Sequence, residues 1–438
     1  AKPAAMKKLF CLLMLLSILG ETKAQIHSGH TDTLYSRTLG EARRLLIYLP
    51  SSYDDGYFYP RRYPVLYLLD GDSHFNSVSS IIQILSENRG PMNFPELIIV
   101  AIPNTDRMRD LTPSHITYDP THQADSATLS RTGGGEKFIG FISQELIPHI
   151  DSLYRTAPYK IFMGHSLGGL TVINTFLHHS SLFNAYVALD PSMSWDDRKL
   201  LHQAKDILNE KKFEGRALYL GIADNLSPGT DTVAVMSDTG NIFSNHMGSI
   251  FTLRNNILAA RPHSTPPPFV PFTAQLPVAE RVPPAGAPSF RFAWKYFPDC
   301  DHSALPVPAE YDALRFIFNY YPLFFPFREF FAPTWTADSL IASHYRTISW
   351  YMGYKVSPPE FLINGTGYQL MGSHQLDRAA YYFHLNMDNY PNSFNVFDSM
   401  GDLMLARAQK DSAMRCYQKA LQIRENPDTR KKLNDLAR

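Results

Sequence analysis

Two short runs in this chain are apolar without alternation, Tyr63 to Leu69 (YPVLYLL) and Leu97 to Ile102 (LIIVAI). A strand with one wet face alternates apolar and polar residues, so unbroken runs of this length require a sheet covered on both faces. Further strand-like segments are Thr31 to Leu39, Ala42 to Leu49 (ending at Pro50 and a turn-rich stretch), Lys160 to Met163, Ala185 to Leu189, Ala217 to Ile222 and Phe290 to Phe297. Helical periodicity fills the intervals at Val78 to Asn88, Gly135 to Leu153, Leu167 to His178 and Asp196 to Asn209. Strands alternating with helices predict the α/β class, with a mainly parallel sheet between two helical layers.

Other features bound the molecule. The 41 basic and 41 acidic side chains cancel, which gives no electrostatic reason to expect nucleic acid or an anionic membrane as partner. Lys7 and Lys8 followed by the apolar Leu9 to Leu19 and by Thr22-Lys23-Ala24 read as a secretory signal behind a vector-derived Ala1 to Ala5. That run is shorter than the roughly 20 helical positions that cross a bilayer. The expectation is an exported protein, periplasmic or extracellular, with no membrane span. The two remaining cysteines, Cys300 and Cys416, are far apart in sequence and read as free thiols.

The expected organisation is residues 1–24 as extension and signal peptide, 25–325 as one α/β domain, and 326–438 as a helical tail. Within the domain, Arg261 to Ser289 carries nine of the 32 prolines and reads as an irregular surface insertion. In the tail, Gly367, Leu370, Ala379 and Phe383 are matched 34 positions later by Gly401, Met404, Ala413 and Tyr417. Small residues at fixed places let paired helices approach while an aromatic ring fills the gap. This all-α pattern resembles the tetratricopeptide repeat, with copies at about 360–393 and 394–428. Two copies are fewer than usual, which favours a cap leaning on the domain over a surface for a protein partner.

Gly164-His165-Ser166-Leu167-Gly168-Gly169 carries the chemistry. An apolar strand leads in and a periodic helix leads out, so G-x-S-x-G sits at a sharp turn that exposes Ser166 at a helix N-terminus. A serine nucleophile needs a base, and His302, in the loop after the last strand, is the candidate. The acid is expected after the penultimate strand, at Asp224. Asp238 and Asp301 are rivals, and a Ser–His pair with no acid is the remaining arrangement. Oxyanion donors are expected from the N–H of Leu167 and from the loop after Tyr63 to Leu69, where Asp72 is preferred and Gly71 is the fallback. Asp70 and Asp72 do not continue into a calcium loop, and no zinc spacing occurs, so neither metal nor cofactor is expected. Arg109 is placed to grip a substrate carboxylate or hydroxyl, the alternative being a structural Arg–Asp pair. Trp195 is expected to wall the pocket. His165, whose side chain should point away from that of the serine, is grouped with Arg109 and Trp195 as substrate-binding.

At these residues the chain resembles the "Putative esterase" family of α/β-hydrolases, the group that contains esterase D and the enterochelin esterases. The similar segments are Val65 to Phe75, Asn104 to Ser114, the Ser166 turn, Asp190 to Trp195 (DPSMSW) and Asp299 to Pro306. The resemblance implies an α/β-hydrolase fold and a serine carboxylic-ester hydrolase without cofactor. It points to a small-molecule or glycan ester, of siderophore, feruloyl or acetyl-sugar type. Acyl transfer to a sugar hydroxyl, or a scaffold that only borrows the fold, are the alternative functions.

Overall fold

In the computed structural model the residues described are 29–87, 93–118, 125–226, 235, 240–260, 286, 288–323 and 336–437. The expected signal segment, Asp238 and nearly all of the Pro-rich insertion lie outside them. β1 (His30–Ser36) and β2 (Glu41–Tyr48) form an antiparallel hairpin, closed at Gly40 with φ +72°. β3 (Tyr63–Leu69), β4 (Ile98–Ile102), β5 (Thr156–His165), β6 (Ala185–Leu189), β7 (Ala217–Ala223) and β8 (Arg291–Phe297) follow. All belong to one eight-stranded sheet in the order β1-β2-β4-β3-β5-β6-β7-β8. β2 is antiparallel to β4, and every pairing from β4 to β8 is parallel.

The apolar runs divide between the two faces by the strand's period of two. Val65, Tyr67 and Leu69 of β3 belong to one core, Leu66 and Leu68 to the other. The first core is closed by Phe138, Phe141, Leu170 and Phe176. The second is closed by Val78, Ile82 and Leu85 of α1 (Gly71–Glu87), together with Ala309, Ala313 and Ile317. Two elements differ from the sequence reading. α1 begins at Gly71, seven positions before the apolar period that announces it, because Phe75 is the lone large apolar residue of its first two turns. A helix at Ile242–Ala260, absent from that reading, packs on the first core through Met247, Ile250, Leu253 and Ile257. Its Asn- and Ser-rich composition disguises a spacing of three and four.

The regular structure of the described tail is all helical, in segments Thr336–Met352, Glu360–Gly372, Leu376–Asn389, Phe394–Ala406, Lys410–Ile423 and Pro427–Ala437. The 34-residue correspondence is visible in the backbone. His374 and Ala408 both adopt φ near +60° in the turns between paired helices. Gln375 N–H donates to Leu370 O at 2.9 Å, and Gln409 N–H to Met404 O at 2.8 Å. A methyl carbon at Gly367 would lie 2.5 Å from the Phe383 ring, and one at Gly401 2.4 Å from the Tyr417 ring. The tail is also seated on the sheet-bearing part of the chain. Tyr59 N–H donates to the buried Glu360 at 2.8 Å, Phe58 meets Phe361, and Arg424 lies over Phe394 while donating to the carbonyls of Gly56 and Tyr57. The second core runs on into Ile341, Ile348, Ile363 and Phe383.

Two glycines of one tail helix therefore respond oppositely to alanine. Helix propensity favours alanine by about 1 kcal/mol, and nothing lies within 4 Å of a Cβ at Gly365. Gly365→Ala is expected to raise stability by up to that amount. Gly367→Ala, pressed against Phe383, is expected to lose about 1–3 kcal/mol through overpacking. Urea midpoints of the two variants check this, and a stabilised Gly367→Ala would show that the ring gives way freely.

Candidate active site

β3 and β5 are neighbouring parallel strands, so the helices that follow them begin side by side at one edge of the sheet. These are α1 and α2 (Leu167–His178). Ser166 joins β5 to α2 with φ 59° and ψ −117°, a backbone that non-glycine residues adopt only when their surroundings impose it. The surroundings here are tight. A Cβ at Gly164 would lie 2.5 Å from the Gly168 carbonyl, and one at Gly168 would lie 3.1 Å from Asp70 Oδ2. Ser166 N–H donates to Leu189 O at 2.9 Å, and Ser192 N–H donates to Ser166 O at 3.1 Å. The serine is thus stitched to the loop that leaves β6, and its Oγ lies 3.3 Å from Ser192 Oγ.

That same loop supplies the partner of His302. Asp190, the first residue after β6, has φ 41° and no solvent exposure. Its Oδ2 accepts from His302 Nδ1 at 2.6 Å, from His246 Nε2 at 3.0 Å and from Asn225 Nδ2 at 3.2 Å. Its Oδ1 accepts from Ala223 N–H at 3.1 Å. Burial pushes the Asp190 carboxyl pKa up, but the bonds from His246 and His302 outweigh it and hold it far below the usual carboxylate range. An ionised carboxylate only accepts, so the imidazole nitrogens facing it carry protons. His302 Nε2 is then the free, basic nitrogen.

Asp224, the acid expected from strand order, is not the residue that meets His302. Its Oδ1 accepts from Leu226 N–H at 3.1 Å, its backbone N–H donates to Cys300 O at 2.8 Å, and its carboxylate takes the Tyr296 hydroxyl. The loop after β7 contributes Asn225 instead, which also accepts from His302 N–H at 2.9 Å. Asp301 caps its own turn, accepting from the N–H groups of Ser303 and Ala304. Asp190 was legible as an aspartate ending a buried strand and opening the DPSMSW segment, but strand order pointed one strand further along.

The remaining residues separate. Leu167 opens α2, and Gly71 and Asp72 open α1, positions whose N–H groups have no acceptor within their own helices. The positive φ in this loop, 51°, belongs to Asp70 and not to Gly71. Glycine is required at 71 because a Cβ would lie under 3 Å from Ala101 and Ile102. Asp70 is gripped by both ends of the Arg107 guanidinium at 2.7 and 3.0 Å and by Asn104 at 2.7 Å. Burial raises its pKa, and those bonds reverse the shift. Arg109 is occupied by Glu41 at 2.6 Å and Asp110 at 2.7 Å, the structural pairing, and is not a free grip for substrate. Trp195 packs on the core and donates to Ser114 O at 3.1 Å, tying two loops of the site together. His165 meets His302 with ring centroids 4.4 Å apart and His74 at 5.7 Å, and its Nε2 is buried without a hydrogen bond. It backs the His302 ring.

Asp190, His246 and His302 are the one group of three metal-ligating side chain types brought together among the described residues. Their contacts at 2.6 and 3.0 Å are closer than the roughly 3.3 Å that ligands on one tetrahedral zinc keep. As placed, both imidazoles hydrogen-bond to the carboxylate. A cleft of about 480 Å³ lined by Pro113, Glu136, Asn174, His178 and Lys199 lies at the far end of α2, roughly 15 Å from Ser166.

A family model described as "Putative esterase" matches residues 36–237. The ferri-bacillibactin esterase BesA of Bacillus subtilis is 26% identical over 202 residues, which cover 41% of this chain and 70% of that protein. The siderophore enterobactin esterase of Emericella nidulans is 28% identical over 158 residues, covering 33% of this chain and 51% of that protein, so about half of that relative's length is matched. Among solved structures, an IroE-like serine hydrolase from Shewanella oneidensis is similar over 82% of this chain and 99% of its own, at 28% identity and a TM-score of 0.62.

The half-buried imidazole of His165 generates a pH dependence of stability. Burial, then the neighbouring His302 and His74, lower its pKa to about 3, against about 6.5 when unfolded. Between those values the unfolded chain binds a proton that the folded one refuses, so stability falls as pH falls, by at most about 1.4 kcal/mol per unit. His165→Phe keeps a ring and removes the titration, and is expected to flatten the stability curve between about pH 6.5 and 5. Urea unfolding across that window reads the slope; an unchanged slope assigns the effect elsewhere.

Proposed function

We propose that this chain, a serine-hydrolase-like esterase of the α/β-hydrolase superfamily, hydrolyses siderophore-type esters through an acyl-enzyme on Ser166. The observation that carries the mechanism is the 2.6 Å bond from His302 Nδ1 to the buried Asp190, beside a serine in a strained strand-to-helix turn. With Nδ1–H fixed on the carboxylate, His302 Nε2 accepts the Ser166 proton as Oγ attacks the ester carbonyl. Asp190 stabilises the imidazolium so formed. The tetrahedral oxyanion is received by the N–H of Leu167 and by that of Asp72 or Gly71, at two helix N-termini where the dipoles favour negative charge. His302 returns the proton to the departing alcohol, then activates the water that releases the acid. At rest the Ser166 hydroxyl faces Ser192, and the bond to His302 forms as substrate enters.

The siderophore assignment rests on the named activities of two relatives, the ferri-bacillibactin and enterobactin esterases. Lys7 to Ala24 supports export, which would put the enzyme where it meets such compounds outside the cytoplasm. The tail is read as a tetratricopeptide-like pair serving as a cap, on the strength of its seat against residues 56–61.

Ser166→Ala is expected to abolish turnover with folding intact, since it removes one oxygen and the nucleophile. Asp190→Asn is expected to lower kcat by about 10⁴ with KM little changed, whereas Asp224→Asn stays within about threefold of wild type. Steady-state kinetics on p-nitrophenyl acetate decide both. A panel of catecholate trilactone, feruloyl and acetyl-sugar esters then compares kcat/KM, and the siderophore reading fails if the trilactone is not the best substrate.

A further inference from the structure

We infer that His246 is a positioning residue for the base, its Nε2–H holding the Asp190 oxygen that orients His302. The inference rests on the Ser166–His302–Asp190 reading above and adds a fourth member to it.

The geometry is specific. His246 Nε2 and His302 Nδ1 reach the same oxygen, Oδ2, at 3.0 and 2.6 Å. Their rings meet edge to face, with centroids 5.7 Å apart and planes at 83°. A carboxylate held by one imidazole can rotate about its terminal torsion and present either oxygen. Two imidazoles and the more distant Asn225 Nδ2 on Oδ2, at 3.2 Å for the amide, with Ala223 N–H on Oδ1, remove that freedom. The His302 tautomer and ring plane are then set before substrate arrives. His246 is shielded, with a side chain 17% exposed, so little water competes for the bond.

The support for His246 is itself built. His246 lies in the first turns of the helix Ile242–Ala260. Its neighbour Asn245 is gripped by Arg198, Nε to Oδ1 at 2.8 Å and Nη2 to the carbonyl at 3.5 Å. Arg198 ends a run of three non-glycine residues at positive φ, with Asp196 at 50°, Asp197 at 48° and Arg198 at 60°. Such a left-handed turn is costly for L-residues and persists where its surroundings fix it. What it secures here is the grip on the residue next to His246. Anchored by Trp195 on Ser114 O, the segment that leaves β6 supplies Asp190 at one end and this clamp at the other.

The test uses His246→Phe, which keeps a ring without a donor, and His246→Gln, which restores an N–H donor. Both are compared with Asp190→Asn on p-nitrophenyl acetate. His246→Phe is expected to lower kcat about ten- to a hundredfold, as for loss of a hydrogen bond to a charged group, with KM within about twofold. His246→Gln is expected to recover most of that loss. In ¹⁵N-labelled full-length enzyme, His246 is expected to carry its proton on Nε2, and the downfield Nδ1–H signal of His302 to persist in His246→Gln and fade in His246→Phe. Wild-type kcat in folded His246→Phe overturns the inference, as does an equal loss in both variants, which would mark a packing role. Should His246→Phe not fold, a His246 proton found on Nδ1 in the wild type overturns it equally. An active Asp190→Asn would bring down the triad reading itself. An inactive Asp190→Asn beside a normal His246→Phe removes only this inference.

Discussion

Because β3 and β5 pair in parallel at the centre of a sheet covered on both faces, α1 and α2 are forced to begin at the same edge and side by side. Each helix presents N–H groups without acceptors within the helix, at the positive end of its dipole. An anion-stabilising notch therefore follows from strand order before any side chain is chosen. The small residues serve that approach. Gly71 lets α1 start against the end of β4, and Gly164 and Gly168 let the chain turn at Ser166 without collision. The parallel neighbours β6, β7 and β8 then deliver Asp190, Asn225 and His302 to the same edge.

Burying a carboxylate at that edge requires compensation, since an unpaired charge out of water is far more costly than a paired one. Asp190 has no exposure and receives four donors from three other segments. Asp224 and Asp301 serve as local acceptors, for a turn N–H and the Tyr296 hydroxyl or for a cap. The contrast is one of solvation and convergence. Three nearby aspartates share a chemistry, but one of them is placed where its ionised form is both dry and fully bonded, which the proposed base-orienting role needs.

The parts legible in the sequence are those set by local pattern. YPVLYLL declares a strand buried on both sides, and the observed strand occupies those seven positions. GHSLGG between a strand and a helix announces the turn at Ser166. What was hidden depends on where side chains point at the ends of different strands. Asp190 and His302 are 112 residues apart, and no local periodicity couples them. Arg109 read as available because Glu41, 68 positions away, could not be seen to claim it. His246 sits on a helix whose Asn and Ser residues masked its period.

The backbone strain of the molecule has the same division. Among the described residues, eight non-glycine positions have positive φ. Asp70, Ser166, Asp190 and the run Asp196 to Arg198 follow the carboxyl ends of β3, β5 and β6, while His374 and Ala408 occupy equivalent turns of the two tail helix pairs. The second set closes helices with the left-handed residue that a C-terminal cap uses, and does so at a 34-residue interval because the same packing problem recurs. The first set has no repeat to explain it. Each member redirects the chain at a residue of the proposed site or beside one: Asp70 at the start of α1, Ser166 at the start of α2, Asp190 beneath His302, and Arg198 near His246. Strain of this kind survives only where surrounding contacts over-determine it. The stitching of Ser166 to Leu189 and Ser192, of Asp70 to Arg107, and of Arg198 to Asn245 supplies those contacts. The bonds that hold the strained turns are thus the bonds that assemble the site.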